Sequence, residues 1–184
     1  MGSGSTESRI RHFGAKLRMQ QDYIMRIVEQ LVQAILAIMQ RRKAGEYKEA
    51  REQVRTAVRY LLRTDLDLLL LYDNERILDH FKDFSDRFET EKCVLGADLF
   101  YELALIEEAE QQSTNGLRLK ELCLYLYSIG IPKELQFQES QNFEKISMLI
   151  AELRDQQLSE KALENLRSFE SLIESLKLGK TNSL

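Results

Sequence analysis

Between residues 24 and 39 the apolar side chains Ile24, Ile27, Val28, Leu31, Ile35, Ile38 and Met39 recur at intervals of three and four. That spacing places them on one face of an α-helix. The chain of 184 residues has one proline and eight glycines, so little interrupts this rhythm. It returns in segment after segment, and no two stretches alternate in the period of two that paired strands require. The expected fold is therefore all-α: an antiparallel bundle of about six to eight helices, with no sheet. An apolar share of 43% and a charged share of 30% suit one folded domain with a real core.

The first helix is expected over Gln20–Lys43. Met25, Val32 and Leu36 make a second apolar stripe on another side of it. A helix apolar on two sides must be covered on two sides. It is either the centre of the bundle or part of a subunit interface. An isologous contact would bury Met25, Val32 and Leu36, so a homodimer is expected. Arg41, Arg42 and Lys43 complement the negative helix end, Gly45 suits a left-handed cap, and Glu46 brings negative charge to the next helix start. Tyr47, Ala50, Val54, Ala57, Val58 and Leu61 then stripe a second helix ending near Thr64. So short a link returns the chain antiparallel, as a helical hairpin.

Farther on, Asp65–Leu71 reads as a short helix or helical turn, and Asp73–Phe88 as a helix carrying Ile77, Leu78, Phe81, Phe84 and Phe88. Another starts at Lys92 or Ala97 and runs to Gln112, followed by a turn at Ser113–Gly116. Leu117–Ile129 should stop at Gly130, ahead of Pro132. Ser140–Gln157 and Ser159–Leu178 complete the set, Ser159 serving as N-cap. One domain over 19–178 is expected, between a flexible basic arm at 1–18, set apart as a leader or upstream extension, and a frayed tail at 179–184.

Gly45, Tyr47, Ala50 and Ala57 resemble the second half of a tetratricopeptide repeat, where small residues let two helices approach closely. Gln21-Asp22-Tyr23, Arg26, Glu29 and Leu31 resemble the opening helix of an uncharacterised family of small bacterial all-helical proteins. The resemblance implies a bacterial cytoplasmic protein with tetratricopeptide-like hairpins, and it brings no activity.

Chemistry-bearing residues are sparse. His12 and His80 are the only histidines, and His80 with Asp83 could at most begin a metal or acid–base site. Cys93 and Cys123 have apolar neighbours and read as small hydrophobes in a reducing cytoplasm. Glu107, Glu108 and Glu110 read as a solvated face. No phosphate loop, Gly-x-Ser-x-Gly or Cys-x-x-Cys is present, so neither catalysis nor a cofactor is expected. A net charge of −4 argues against nucleic acid, and no window of about eighteen apolar residues offers a membrane span.

Arg51, Arg55, Arg59 and Arg63 fall every fourth residue and form one ridge. The plainer reading is a surface row paired with acids such as Glu52 or Asp67. The sharper one is a strip for phosphates or an acidic partner, since guanidinium presents forked donors. The expected function is a non-catalytic protein-interaction or scaffold module binding a protein partner through a helix-lined surface. The alternative is nucleic-acid or acidic-ligand binding through Arg51–Arg63.

Overall fold

The computed structural model describes residues 25–131 and 142–181, and within them the chain is all-helical. Eight helices follow one another: α1 (residues 25–43), α2 (Tyr47–Leu62), α3 (Leu66–Leu70), α4 (Asn74–Asp79), α5 (Thr90–Ala109), α6 (Ser113–Gly130), α7 (Asn142–Leu153) and α8 (Glu160–Thr181). An isolated bridge between Lys82 and Phe88 is the nearest approach to a strand among the described residues. The basic arm, Gln20–Ile24 and the Gln-Asp-Tyr opening lie outside the described residues. α8 runs to Thr181, so the first part of the expected tail continues the helix.

The α1–α2 link forms as its residues dictate. Gly45 sits at φ 80°, its amide donating to the Arg42 carbonyl (3.0 Å) while the Glu46 amide donates to the Arg41 carbonyl (3.0 Å). That bond pair is a Schellman closure, and it needs the left-handed residue. A side chain on Gly45 would meet nothing within 4 Å, so φ alone selects glycine there.

The bundle turns on α5. Its buried residues, among them Cys93, Leu95, Ala97, Leu99, Phe100, Leu103 and Ile106, lie on several sides of the helix. The central role considered for α1 thus belongs to α5. α2 packs on α5, α6 returns antiparallel along it, α7 and α8 pack on α6, and α4 touches α6. Two glycines let α6 approach. A Cβ on Gly116 would come within 2.6 Å of Glu108 Cγ, and one on Gly130 within 2.8 Å of the Thr90 carbonyl. The two stand two heptads apart on α6 and fix both ends of the seam.

Three expectations need correcting. The predicted turn at Ser113–Gly116 is the first turn of α6. The chain reverses before it, where Gln111 takes φ 64° and its amide and that of Gln112 donate to the carbonyls of Glu108 and Glu107. Gly130 is not a left-handed stop: α6 ends because Ile131 is extended (φ −103°, ψ 117°), as the residue before a proline prefers to be. The helix expected over Asp73–Phe88 stops at Asp79. The Asp83 carboxylate takes the amides of Ser85 (2.7 Å) and Arg87 (3.1 Å), and Asp86 turns left-handed at φ 59°. An aspartate turn outcompetes the helix there, leaving Phe84 fully exposed while Phe81 stays buried, edge-on to Phe100.

Two alanine substitutions separate these roles of glycine. Gly130→Ala should lower the free energy of urea unfolding by about 1–3 kcal/mol through overpacking. Gly45→Ala should lower it by about 1–2 kcal/mol through backbone strain alone. Replacing Gly45 with Asn should recover part of its loss, since Asn tolerates the left-handed region, whereas Gly130→Asn should be worse than Gly130→Ala.

Candidate functional site

The glutamates of α5 do not form a solvated face. Glu107 is 2% exposed, and Glu102 is also buried. Each carboxylate meets a guanidinium from the α1–α2 hairpin. Arg51 donates to Glu107 (2.6 Å) and to Glu110, and Arg42 Nε donates to Glu102 (2.7 Å). Burial alone would lower the pKa of Arg51, but its hydrogen bonds to Glu107 and Glu110 outweigh that and hold it above the ordinary value. On the far side of α5, buried Lys120 of α6 pairs with Glu108 (2.6 Å) and with Glu152 of α7 (2.9 Å). The Tyr101 hydroxyl donates to Glu152 (2.9 Å), so one polar cluster ties three helices.

The arginine ridge divides along its length. Arg51 points into the α2–α5 seam. Arg55 grips both oxygens of Asp67 (2.8 and 2.9 Å) and also donates to Glu52; Arg59 donates to Asp65 (2.7 Å). Asp65 and Asp67 belong to the start of α3, where Asp65 also caps the helix by accepting from the Asp67 amide. Arg63 takes the left-handed cap of α2 and lies over the Tyr60 ring, 5.7 Å from its centroid. Three of the four guanidiniums are thus engaged by carboxylates of the same chain.

His80 and Asp83 do not converge. The half-buried His80 ring stacks on Tyr72 (6.3 Å, 13°), and Asp83 is taken up by its own loop and by Arg87. Burial, then the charge of Lys92, push the His80 pKa down. His12 lies outside the described residues. Among the described residues no three His, Cys, Asp or Glu side chains come together as a metal site would need. Both cysteines are buried and free. Burial pushes the Cys93 thiol up to about 12, and the Cys123 thiol well above its usual value, with Cys123 Sγ donating to the Ala97 carbonyl (3.3 Å).

Among the described residues two concave surfaces stand out by size. The first, about 320 Å³, runs between α1 and α2. Its walls are Leu31, Ala34 and Ala37 from α1, with Thr56, Ala57 and Tyr60 from α2. Tyr60 donates to Gln30 (2.6 Å) across one end, and the buried Gln53 Oε1 in the same groove has no partner. On α1 the stripe residues Met25, Val32 and Leu36 lie across the buried face from this groove, 58%, 40% and 42% exposed. The second surface, about 560 Å³, lies where α4, α6 and the start of α8 meet, beside Tyr72 and Tyr125. Its polar atoms Asn74 Oδ1 and Asn165 Nδ2 are buried and unpartnered. Neither asparagine carries a local sequence signal, because only the assembled bundle hides them.

No protein-family model, curated protein or solved structure matches the chain. No helix among the described residues is long and apolar enough to cross a membrane.

Two measurements test this arrangement. Arg51→Met strands Glu107 without its cation and should cost about 3–5 kcal/mol in urea unfolding. Arg51→Met combined with Glu107→Leu should recover most of that, and Arg59→Met should change little. The thiols provide a pH signature. Their folded pKa values exceed the unfolded one, so their contribution is full below pH 9, where the unfolded thiol titrates, and is lost as pH rises through about 12 for Cys93. Stability should fall over that alkaline window, and Cys93→Ala with Cys123→Ala should flatten the fall.

Proposed function

We propose that this chain is a non-catalytic protein-interaction module whose α1 helix works on both flanks. The groove flank receives an apolar or extended segment of a partner protein. The opposite flank pairs with a second copy through Met25, Val32 and Leu36. The observation that carries the reading is the α1–α2 groove itself. Small side chains at Ala34, Ala37 and Ala57 leave room for a segment beside Gln53, whose buried Oε1 has no partner. An unpaired buried acceptor costs about 1–3 kcal/mol.

Charge adds direction. Arg63 has no carboxylate partner among the described residues and stacks on Tyr60, which lines the groove. It leaves positive charge at that end and favours acidic segments, with steering that weakens as salt rises. The other candidate groups among the described residues are engaged elsewhere. The thiols are held protonated, and His80 is stacked away from Asp83. The helical hairpin with its small-residue contacts is the feature that resembles tetratricopeptide modules, whose paired helices present concave surfaces.

Two variants test the two flanks separately. Light scattering at micromolar concentration should give a dimer mass for the unaltered chain and a monomer mass for Val32→Glu combined with Leu36→Glu, with helical circular dichroism unchanged. A partner captured from the native host should be retained by that monomeric variant. Ala37→Trp, which fills the groove, should lose it. A monomer at every concentration sinks the dimer, and capture indifferent to Ala37→Trp sinks the groove.

A further inference from the structure

The α1–α2 groove differs at its two ends. Toward the hairpin, Arg41 and Glu46 pair with each other (2.9 Å), so those two charges satisfy one another. At the other end Tyr60 donates to Gln30 Oε1 (2.6 Å), and the exposed Gln30 keeps its Nε2 donors without a partner among the described residues. Arg63 lies beyond, its guanidinium 5.7 Å from the centroid of the Tyr60 ring. That contact is made to a ring and not to a hydrogen-bond acceptor, so the guanidinium donors stay available. Arg26 stands one helical turn before Gln30, on the same side of α1, and is exposed. Among the described residues neither arginine has a carboxylate partner.

Nearby acids are turned elsewhere. Asp65 accepts from Arg59 (2.7 Å) and from the Asp67 amide (3.0 Å). Glu29 immediately precedes Gln30, which sets it about 100° farther round α1, away from the groove. The accessible apolar surface of the groove comes from Ala34, Ala37 and the Tyr60 ring, each partly exposed. About 320 Å³ is small for a ligand site, so a short stretch of chain fills it. The Tyr60–Gln30 bond crosses the cationic end, and a chain continuing through the groove would have to climb over it. A chain that terminates there would not.

We infer that the groove receives the C-terminus of a partner protein, its terminal carboxylate accepting from Arg63 and Gln30 Nε2 beside the charge of Arg26, and its last apolar side chains lying on Ala34, Ala37 and Tyr60. The inference rests on the groove reading given above and adds what the groove selects. Charge complementarity decides the occupant. A terminal carboxylate offers two oxygens to forked donors, and bonds to an ionised group are the stronger kind. The chain's own residues 1–18 carry Arg9, Arg11, Lys16 and Arg18 against one acid, Glu7, and would bring like charge to this end.

The test uses the full ¹⁵N-labelled chain and N-acetyl-Leu-Ala-Leu with a free C-terminal carboxylate. Millimolar peptide should shift the Gln30 side-chain amide, the Nε–H signals of Arg26 and Arg63 and the backbone amide of Ala37, with an affinity that falls as salt rises. The C-terminal amide of the same peptide should bind about ten-fold more weakly and without that salt dependence. N-acetyl-Leu-Asp-Leu amide, whose carboxylate is internal, should also bind more weakly than the acid. Arg63→Gln should remove most of the acid's advantage while leaving helical circular dichroism and the affinity of the amide unchanged. The inference is overturned by an acid that causes no shifts, by an amide or an internal aspartate that binds as tightly, or by Arg63→Gln that binds the acid normally. It is overturned equally by the same shifts on concentrating the protein alone, which would give this end of the groove to a second copy. Acid and amide binding alike, both lost in Ala37→Trp, would strike the carboxylate site and leave the groove, whereas acid binding untouched by Ala37→Trp would strike the groove itself.

Discussion

A carboxylate taken out of water must be paired, and in this fold the requirement falls on Glu107. Its place in the last turn of α5, almost wholly screened from solvent, is acceptable only while Arg51 reaches across from α2. Leaving such a charge unpaired costs several kcal/mol, a large part of the margin by which a domain of this size is stable. Arg42 repeats the arrangement one helix earlier with Glu102. The α1–α2 hairpin is thus held to α5 at one point from each of its helices, and both points are specific in register. An apolar seam would tolerate sliding by a turn, since one leucine resembles the next. A buried pair would not.

That constraint explains why the arginine ridge cannot be taken as one object. Four residues at equal spacing look equivalent along a helix, yet the ridge drifts around the helix axis as it climbs. Arg51 meets the neighbouring helix, Arg55 and Arg59 meet the aspartates that start α3, and of the four only Arg63 clears the acids among the described residues. Spacing alone shows the drift but not what stands beside it. The same gap accounts for Glu107, Glu108 and Glu110. A run of acids is usually solvated, and the signal that this one is not lies fifty-six residues away at Arg51.

Local chemistry was legible where it closes on itself. Gly45 follows the basic last turn of α1, and its left-handed closure involves only residues 41–46. Asp65 caps α3 within two residues, and Ser159 starts α8 where the helical rhythm resumes. Legibility failed where two local solutions compete. Asp83-Phe84-Ser85-Asp86 has the apolar spacing of a helix and the side chains of an aspartate turn, and the turn prevails because Asp83 satisfies two backbone amides at once. Gly116 and Gly130 read as breakers from composition, although their task is to let α6 lie against Glu108 and Thr90. A glycine selected for closeness and one selected for φ are identical in sequence. The asparagines of the second cleft are hidden for a related reason, since burial of a polar side chain is a property of the assembled helices.

The distribution of satisfied and unsatisfied groups carries the functional argument furthest. Among the described residues the buried ionic side chains are in contact with opposite charges, and those contacts hold helices together. Unpartnered buried atoms occur on both kinds of side chain: Arg55 Nε and Glu152 Oε2 belong to groups held in ion pairs, whereas Gln53 Oε1, Asn74 Oδ1 and Asn165 Nδ2 belong to neutral amides of residues that line open grooves. The asymmetry has a physical basis. An unpaired ion would cost more than a marginally stable domain can bear, while an unpaired amide costs about 1–3 kcal/mol, which a fold can carry. A guanidinium left in solvent bears no such cost, so Arg63 stands open beside Tyr60, and the positive charge at that end of the groove stays available to an acidic partner.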